Sequence, residues 1–382
     1  MYYFDWAATS LQDTEIIEKA FALSQKYCGN PSSVHALGIE AKNIIQQARK
    51  SASQALGVPE NTIYFTSGGT ESDYLPILSL LQRPNKGSIL ISNIEHSAIK
   101  EQAEAMKNCG WKIITVNPNC RGIIEPQAII EKLEDDTALV CVMAVNNETG
   151  AIQPIYDIAD ALIHFAGNKK KPKFHVDAVQ AVGKIPLNLA HKGIDSAAIS
   201  GHKIGGPRGI GILYLQQRQE PFLRGGGQEK GIRSGTENLY GICAIADCLQ
   251  KYAITSPENT YFQNTKNLSA YFIEELQKIV GCTLIPNTRQ KDDQDFSPFV
   301  IQAAFNNVPG EVMVRALSEK GIYISTGSAC SARKLSRPIL EAMKVPQKIA
   351  SEAVRFSFGH TTTKEAIDFL LNNLKNIVQL FN

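Results

Sequence analysis

The sequence predicts an α/β protein, a large domain built on a mostly parallel sheet with a smaller α+β domain beside it. Three observations predict this. Short apolar, β-branched runs alternate with amphipathic helical stretches over the first two-thirds of the chain, the pattern of βαβ units. Thr70, His96, Asn147, Asp177 and Lys203 each sit just after a predicted strand, where parallel sheets hold their ligands. Near Ser256-Pro257 the character changes and a long helix opens a second region. The expected division gives residues 13–257 to the large domain, with 1–12 and 258–382 forming the small one.

Tyr2 to Thr9 reads as extended, and Asp13 starts an amphipathic helix ending near Cys28-Gly29. Asn30-Pro31-Ser32-Ser33 is a turn whose serines are placed to cap a long helix from about His35 to Leu56, stopped by Gly57. A strand from Thr62 to Thr66 runs into Ser67-Gly68-Gly69-Thr70-Glu71-Ser72. Strand, glycine turn and helix start form a phosphate cradle, with free N–H groups facing an anion and Thr70 adding a hydroxyl. Alone, such a turn also occurs without a ligand. The alternation continues with strand Ser88–Ser92, helix His96–Asn108, strand Trp111–Val116, helix Pro126–Leu133 and strand Ala138–Val145. The loop Asn146–Gly150, helix Tyr156–Ala166 and strand Phe174–Val176 then lead to Asp177. Small residues run up to Ser200, and Ile210–Leu215 is the strand that leaves beyond Lys203. The second region holds helix Tyr261–Val280, strand Phe299–Phe305, helix Glu311–Lys320, strands Ile322–Ser325 and Val354–Phe358, and helix Lys364–Phe381.

Composition narrows the class. At 382 residues the chain is long enough for two domains and a sizeable core. Thirty-nine Lys and Arg against 37 Asp and Glu is too balanced to argue for a nucleic-acid or membrane-surface partner. No apolar run approaches the roughly 18 residues of a membrane span, and the first residues lack the pattern of a signal peptide. Eight cysteines without a CxxC pair fit neither a disulfide framework nor a metal site, so a reducing cytoplasm is the expected home.

The chemistry centres on Ser200-Gly201-His202-Lys203 and the glycines that follow it. Read alone, Lys203 is a solvated lysine on a surface loop. On a turn beside buried strands it is instead partly desolvated, which makes its amine a usable nucleophile. The stretch His175-Val176-Asp177-Ala178-Val179-Gln180 favours the second reading, because an acid closes a short apolar strand some twenty-five positions earlier. Pyridoxal phosphate (PLP) requires such a pair. The lysine forms the Schiff base, and the aspartate keeps the pyridine nitrogen protonated so that the ring acts as an electron sink.

Assembled in order, these residues resemble the cysteine desulfurases of the class V aminotransferase fold, the branch of iron–sulfur-cluster and nitrogenase sulfur suppliers. The likeness spans nearly the whole chain, from Asp5-Trp6-Ala7-Ala8-Thr9 to Val354–Gly359. It rests on GNPSS at Gly29, GxTES at Gly68, EH at Glu95, VNNExG at Val145, VDAxQ at Val176, SGHK at Ser200, RSGT at Arg233 and GSAC at Gly327. The resemblance implies an aspartate-aminotransferase-like, PLP-dependent transferase. It makes Lys203 the Schiff-base lysine, Asp177 the partner of the pyridine nitrogen and Gln180 that of the ring hydroxyl. Gly69, Thr70, Ser200 and His202 would hold the phosphate. His96 would stack on the ring and serve as an acid or base, though a histidine at a helix start can equally be a cap. Asn147 would contact cofactor and substrate, and Arg355 and Asn30 the substrate; for Arg355 a structural ion pair is the competing reading. Thr236 would reach the cofactor phosphate of a neighbouring subunit, which implies a homodimer.

By the same resemblance, L-cysteine is converted to L-alanine and a persulfide on Cys330, for transfer to an acceptor protein in iron–sulfur cluster assembly or thiolation. Cys330 lies among Gly327, Ser328, Ala329, Ser331 and Ala332, small residues that bury little apolar surface, so the Thr326–Ser336 segment is expected to be poorly ordered or exposed. Arg333, Lys334 and Arg337 beyond it would raise thiolate content or simply form a solvated basic loop. Departures from the family pattern are Gly69 for alanine, Tyr74 for asparagine and Gly205 for a bulkier residue; they touch pocket shape. Two alternatives stay open: a selenocysteine lyase on the same cofactor, and a non-catalytic dimeric adaptor with this fold.

Overall fold

In the computed structural model, which describes residues 1–327 and 336–381, the strand–helix alternation closes into one large sheet. The chain enters by β1 (Tyr2–Tyr3), α1 (Thr14–Lys26) and α2 (Ala36–Leu56). It winds through β2 (Ile63–Thr66), α3 (Gly69–Ser79), β3 (Ser88–Ser92), α4 (Ser97–Asn108), β4 (Lys112–Val116) and α5 (Pro126–Ile130). β5 (Thr137–Cys141), α6 (Ile155–Ala166), β6 (Lys173–Asp177), β7 (Ser196–Ser200), β8 (Gly211–Leu215) and α7 (Leu239–Tyr252) complete this part. The seven strands lie in the order β2-β8-β7-β6-β5-β3-β4.

Both faces of this sheet are covered, which is why its strands read as continuous apolar runs. Period-two alternation decides the faces: Leu90 of β3 and Val140 of β5 join the main core, to which α1, α2, α5, α6 and α7 contribute, while Ile89, Ile91, Leu139 and Cys141 pack against α3 and α4. Only β8 runs against its neighbours. Residues 201–210, which join it to β7, are too few for the crossover that a parallel pair needs. That reversal sets the carboxyl ends of β2 and β7 on either side of the start of β8, with Thr66 and Ser200 both opposite Gly211. No side chain fits at Gly211, since a Cβ there would lie 2.6 Å from the carbonyl carbon of Gly68.

The second region comprises α8 (Thr260–Gln277), β9 (Cys282–Ile285), β10 (Val300–Phe305), α9 (Gly310–Glu319), β11 (Ile322–Tyr323), α10 (Pro338–Ala342), α11 (Gln347–Glu352), β12 (Ala353–Ser357) and α12 (Lys364–Phe381). Its antiparallel sheet, in the order β12-β10-β9, packs a separate apolar cluster in which Phe272, Phe305, Phe356 and Phe358 meet edge to face. Phe4 joins that cluster and β1 pairs with β11, so the first residues belong to this core before the chain crosses to the large sheet.

Local expectations are corrected at several points; the strand expected over Ala138–Val145, for one, ends at Cys141. Tyr2 to Thr9 is extended only at its start, because the Tyr3 hydroxyl donates to the Asp5 and Thr9 carbonyls and folds residues 6–8 into a turn. The cap of α2 is His35, whose Nδ1 accepts from Gly38 N at 3.3 Å, and not a serine. Residues 131–133 fall outside α5, which ends at Ile130. Strand β9 was not anticipated, its four residues lying between a long helix and a polar loop.

One buried ion pair ties α2, β2 and the segment after β8 together. Arg49 donates to both carboxylate oxygens of Glu229 at 2.7 and 2.8 Å and to the Ile63 carbonyl at 2.7 Å, while Glu229 also accepts from Phe65 N. Removing one partner strands the other charge away from water. Arg49→Ala should therefore cost about 3–5 kcal/mol in urea denaturation, and a loss no larger than that of an exposed lysine would refute this.

Candidate active site

The reversal at β8 brings the glycine turn after β2 beside the carboxyl end of β7. Thr66 Oγ1 and Ser72 Oγ lie 2.7 Å apart and Ser72 Oγ donates to the Gly68 carbonyl, which winds the chain directly into α3. Gly69, Thr70, Ser200 and His202 line one recess at the amino end of α3, together with Arg208. A Cβ at Gly69 would sit 2.7 Å from Val179 Cγ2, so a larger residue there would make that side chain shift. His202 is a neutral donor or acceptor here: burial and the cation of Lys203 push its imidazole down to about 4, and its Nδ1 lies 3.1 Å from Thr9 Oγ1.

The recess opens into a cavity of about 240 Å³ at the carboxyl ends of the strands. Ten of the predicted residues line it: Gly69, Thr70, His96, Asn147, Asp177, Gln180, Ser200, His202, Lys203 and Arg355. Asp177 closes β6 and accepts from Val179 N at 2.9 Å. Burial raises its carboxyl, while His96, the Val179 N–H and Lys203 work the other way. Lys203 Nζ donates to the Ala7 and Ala8 carbonyls, both at 2.7 Å, so the turn after β1 is what holds the amine in place. His96 proves to be a cap as well as a cavity wall. Its Nδ1 accepts from Ala98 N at 3.2 Å, which leaves the proton of the neutral ring on Nε2, and burial lowers its pKa. Arg355, on β12, donates to the Asn147 carbonyl at 2.8 Å and to Asp5 Oδ1 at 2.7 Å, so the structural ion pair exists at a cavity wall.

Asn30 is not brought to this cavity. It is exposed, and its Oδ1 turns back to accept from Ser32 N at 2.9 Å. Thr236 is exposed and also lies outside the cavity of its own chain. Cys330, Arg333 and Lys334 lie outside the described residues. At the edge of that segment, Arg337 donates to the Thr326 carbonyl.

Several groups escaped the sequence reading. Asp73, one turn into α3, lines the cavity, and His175 behind it bridges Asp73 Oδ1 at 3.1 Å and Ser196 Oγ at 2.8 Å. Burial first, then Asp177 and Glu95, raises Asp73 well above the usual carboxylate range. Glu95 is likewise pushed up to about 8 by burial. The spacing Asp177 minus two, on the same strand face, was the available signal for His175. For Asp73 there was none, since α3 has no polar stripe at that position.

The residues fit the cofactor implied by the sequence. A buried carboxylate, a lysine amine and an anion recess at a helix start face one cavity. Two buried polar atoms on its walls, Asn147 Oδ1 and Arg355 Nε, have no hydrogen-bond partner among the described residues. Fold and site together define an α/β enzyme with a lysine and an aspartate at the carboxyl edge of its sheet.

Comparison with known proteins identifies the family. The aminotransferase class-V model matches residues 2–370, and the chain belongs to that family. It is 36% identical to a "NifS/IcsS protein homolog" of Lactobacillus delbrueckii subsp. bulgaricus, covering 100% of this chain and 98% of that one. It is 33% identical to the "Cysteine desulfurase IscS" of Dictyoglomus turgidum over 99% of this chain and 94% of the other. A solved structure titled "NIFS-LIKE PROTEIN" superposes with a TM-score of 0.89 at 32% identity, over 99% of both chains.

His175 makes the site's pH response testable. Burial lowers its imidazole from 6.5 to about 3. Across that window the unfolded chain takes up a proton that the folded chain refuses, so stability falls as pH falls. Asp73 acts in the opposite sense, its contribution being lost as pH rises. The comparison is therefore between proteins: the urea midpoint of His175→Gln should fall less steeply below pH 6.5 than that of the parent. Parallel profiles would refute the assignment.

Proposed function

We propose that this chain is a PLP-dependent cysteine desulfurase, which converts L-cysteine to L-alanine and carries the sulfur as a persulfide on Cys330. The observation that carries the reading is the convergence of Lys203, Asp177 and His96 on one cavity beside an anion recess, in a chain whose full-length relatives bear that activity in their names. When bound, PLP supplies an electron sink conjugated to the substrate's reacting carbon.

The chain's own residues supply the rest. Lys203 would hold the cofactor covalently and afterwards move a proton at the substrate's Cα. Asp177 would accept the ring N–H, and the cation opposite it would offset the cost of its burial. The α3 amino end with Gly69, Thr70, Ser200 and neutral His202 would take the phosphate, and Arg208 adds a positive charge at the rim. Asn147 and Arg355 would bind the amino acid; Arg355 Nε needs an acceptor and Asn147 Oδ1 a donor, and a zwitterion brings both. His96, with its proton on Nε2, faces the cavity as a ring-stacking acid. The Cys330 thiolate attacks the sulfur of bound cysteine. The sulfur–Cβ bond breaks, its electron pair stays on the carbon side, which takes up a proton and leaves as alanine, and the sulfur remains on Cys330. An acceptor protein then removes it.

Two further parts belong to this reading. The division into residues 13–257 and the pair 1–12 with 258–382 is supported by the two separate apolar clusters. A homodimer is supported by the exposure of Thr236 outside its own cavity, where a second copy would reach it.

Purified protein should be yellow, Lys203→Ala should lose that absorbance, and Cys330→Ala should keep it while releasing no alanine from cysteine. A colourless protein that takes up no PLP would overturn the cofactor assignment, and undiminished desulfuration by Cys330→Ala would overturn the carrier. A strong preference for selenocysteine would redirect the reading to the lyase. Mixed dimers of Lys203→Ala and Thr236→Ala subunits should recover one intact site, made of Lys203 from the second and Thr236 from the first. Absence of any recovery would confine Thr236 to its own subunit.

A further inference from the structure

A buried lysine that the mechanism leaves unused lies one turn past Gln180. Residues 178–185 wind tightly, with Val182 N donating to the Ala178 carbonyl and Ile185 N to the Ala181 carbonyl, both at 3.0 Å. That winding stacks Lys184 on Gln180, four residues before it, as on a helix face. Lys184 is 4% exposed and has no ion pair among the described residues. Its Nζ donates to Gln180 Oε1, while Gln180 Nε2 donates to the Ala7 carbonyl at 2.8 Å.

A glutamine side chain is nearly symmetric in shape but not in chemistry. One end donates twice, the other only accepts. Here the partners discriminate between the ends. The Ala7 carbonyl can only accept, and so selects the nitrogen. The Oε1 end has no proton to give, so the bond to Lys184 requires the amine to donate. Two one-way contacts therefore define one amide orientation. Ala7 takes one of the two protons on Nε2, and the other remains for the cavity that Gln180 lines.

The burial of Lys184 has no packing rationale, because an unbranched apolar side chain would fill the same volume without desolvating an amine. The ionisable groups around it, Lys203, Arg355 and His202, offer no compensating negative charge. Burial and the two cations push the amine well below its usual range.

We propose that Lys184 is a positioning residue that locks the Gln180 amide so that an N–H, and not a carbonyl, faces the ring oxygen of the cofactor. This rests on the PLP reading above, and it concerns a residue that touches Gln180 and not the reacting atoms.

The test is a spectroscopic titration of the full-length holoenzyme without cysteine, following the visible absorbance of bound PLP against pH. A donor to the ring oxygen stabilises its anionic form, so loss of the lock should raise the midpoint. Lys184→Met should shift it up by about 1–2 pH units, the size of one hydrogen bond to a charged group. Lys184→Gln, whose amide can still donate to Gln180, should restore most of the parental midpoint. Gln180→Leu should give the same shift alone and in combination with Lys184→Met, since the second change has nothing left to release. Lys184→Leu serves as a second apolar replacement should Met fold poorly, with thermal unfolding recorded for each variant. An unmoved midpoint in folded Lys184→Met or Lys184→Leu, or additive shifts in the double variant, would overturn the proposal. Failure of the parent to take up PLP would instead sink the function reading, so the two failures are distinguishable.

Discussion

Holding Asp177 out of water is the constraint on which the site depends. A carboxylate at the end of a central strand, covered on both faces, is disfavoured as an anion unless partners are supplied. The fold supplies a backbone N–H from Val179 and two positive or protonatable groups, His96 and Lys203, from neighbouring strand ends. It also crowds two further acids, Asp73 and Glu95, into the same region, where burial favours their protonated forms. Of the three acids, Asp177 is the one whose charged form His96 and Lys203 favour. A cationic group set beside Asp177 would meet an environment that favours it.

The neutral groups are arranged with the same economy. His96, His175 and His202 are all pushed toward the neutral form by burial, and each has a nitrogen committed to a neighbour. They can orient and transfer protons without adding charge to a space that already holds Lys203 and Arg355. The amino-terminal turn contributes through its backbone alone, since the carbonyls of Ala7 and Ala8 hold Lys203, and that of Ala7 also holds Gln180. Because residues 2–4 are anchored in the smaller core, this turn and Arg355 on β12 make the cavity a joint product of the two apolar clusters.

The alternation of elements, the glycine turn before Thr70, the acid at 177 and the lysine at 203 were legible in the linear sequence, because each expresses a local rule. Period-two and helical patterns depend on neighbours within a few residues, and a strand followed by glycines and a hydroxyl is a local geometry. The aminotransferase class-V assignment rested on motifs of this kind, and the family match over residues 2–370 agrees with it. Even helix ends were read closely where a single side chain decides them, as at Asp13 and Gly57. His35 as a cap was missed because an imidazole nitrogen does that work less often than a serine hydroxyl.

Tertiary structure alone decided the rest, wherever the deciding partner is distant in sequence. The reversal of β8 follows from what the short connection can span, yet only the sheet order reveals that it sets Thr66 and Ser200 opposite one glycine. Arg49 and Glu229 are 180 residues apart and carry no joint pattern, although their pairing anchors the segment beyond β8. Asp73 looked like one polar residue on an ordinary helix until β6 placed His175 against it. Nothing local in the sequence marks Lys184, and only the packing around it buries its amine beside Lys203 and Arg355. Sequence determined which chemical groups the chain carries and the local geometry of each; long-range packing determined which of them lost water together, and therefore which are charged, which are neutral and which face the cavity.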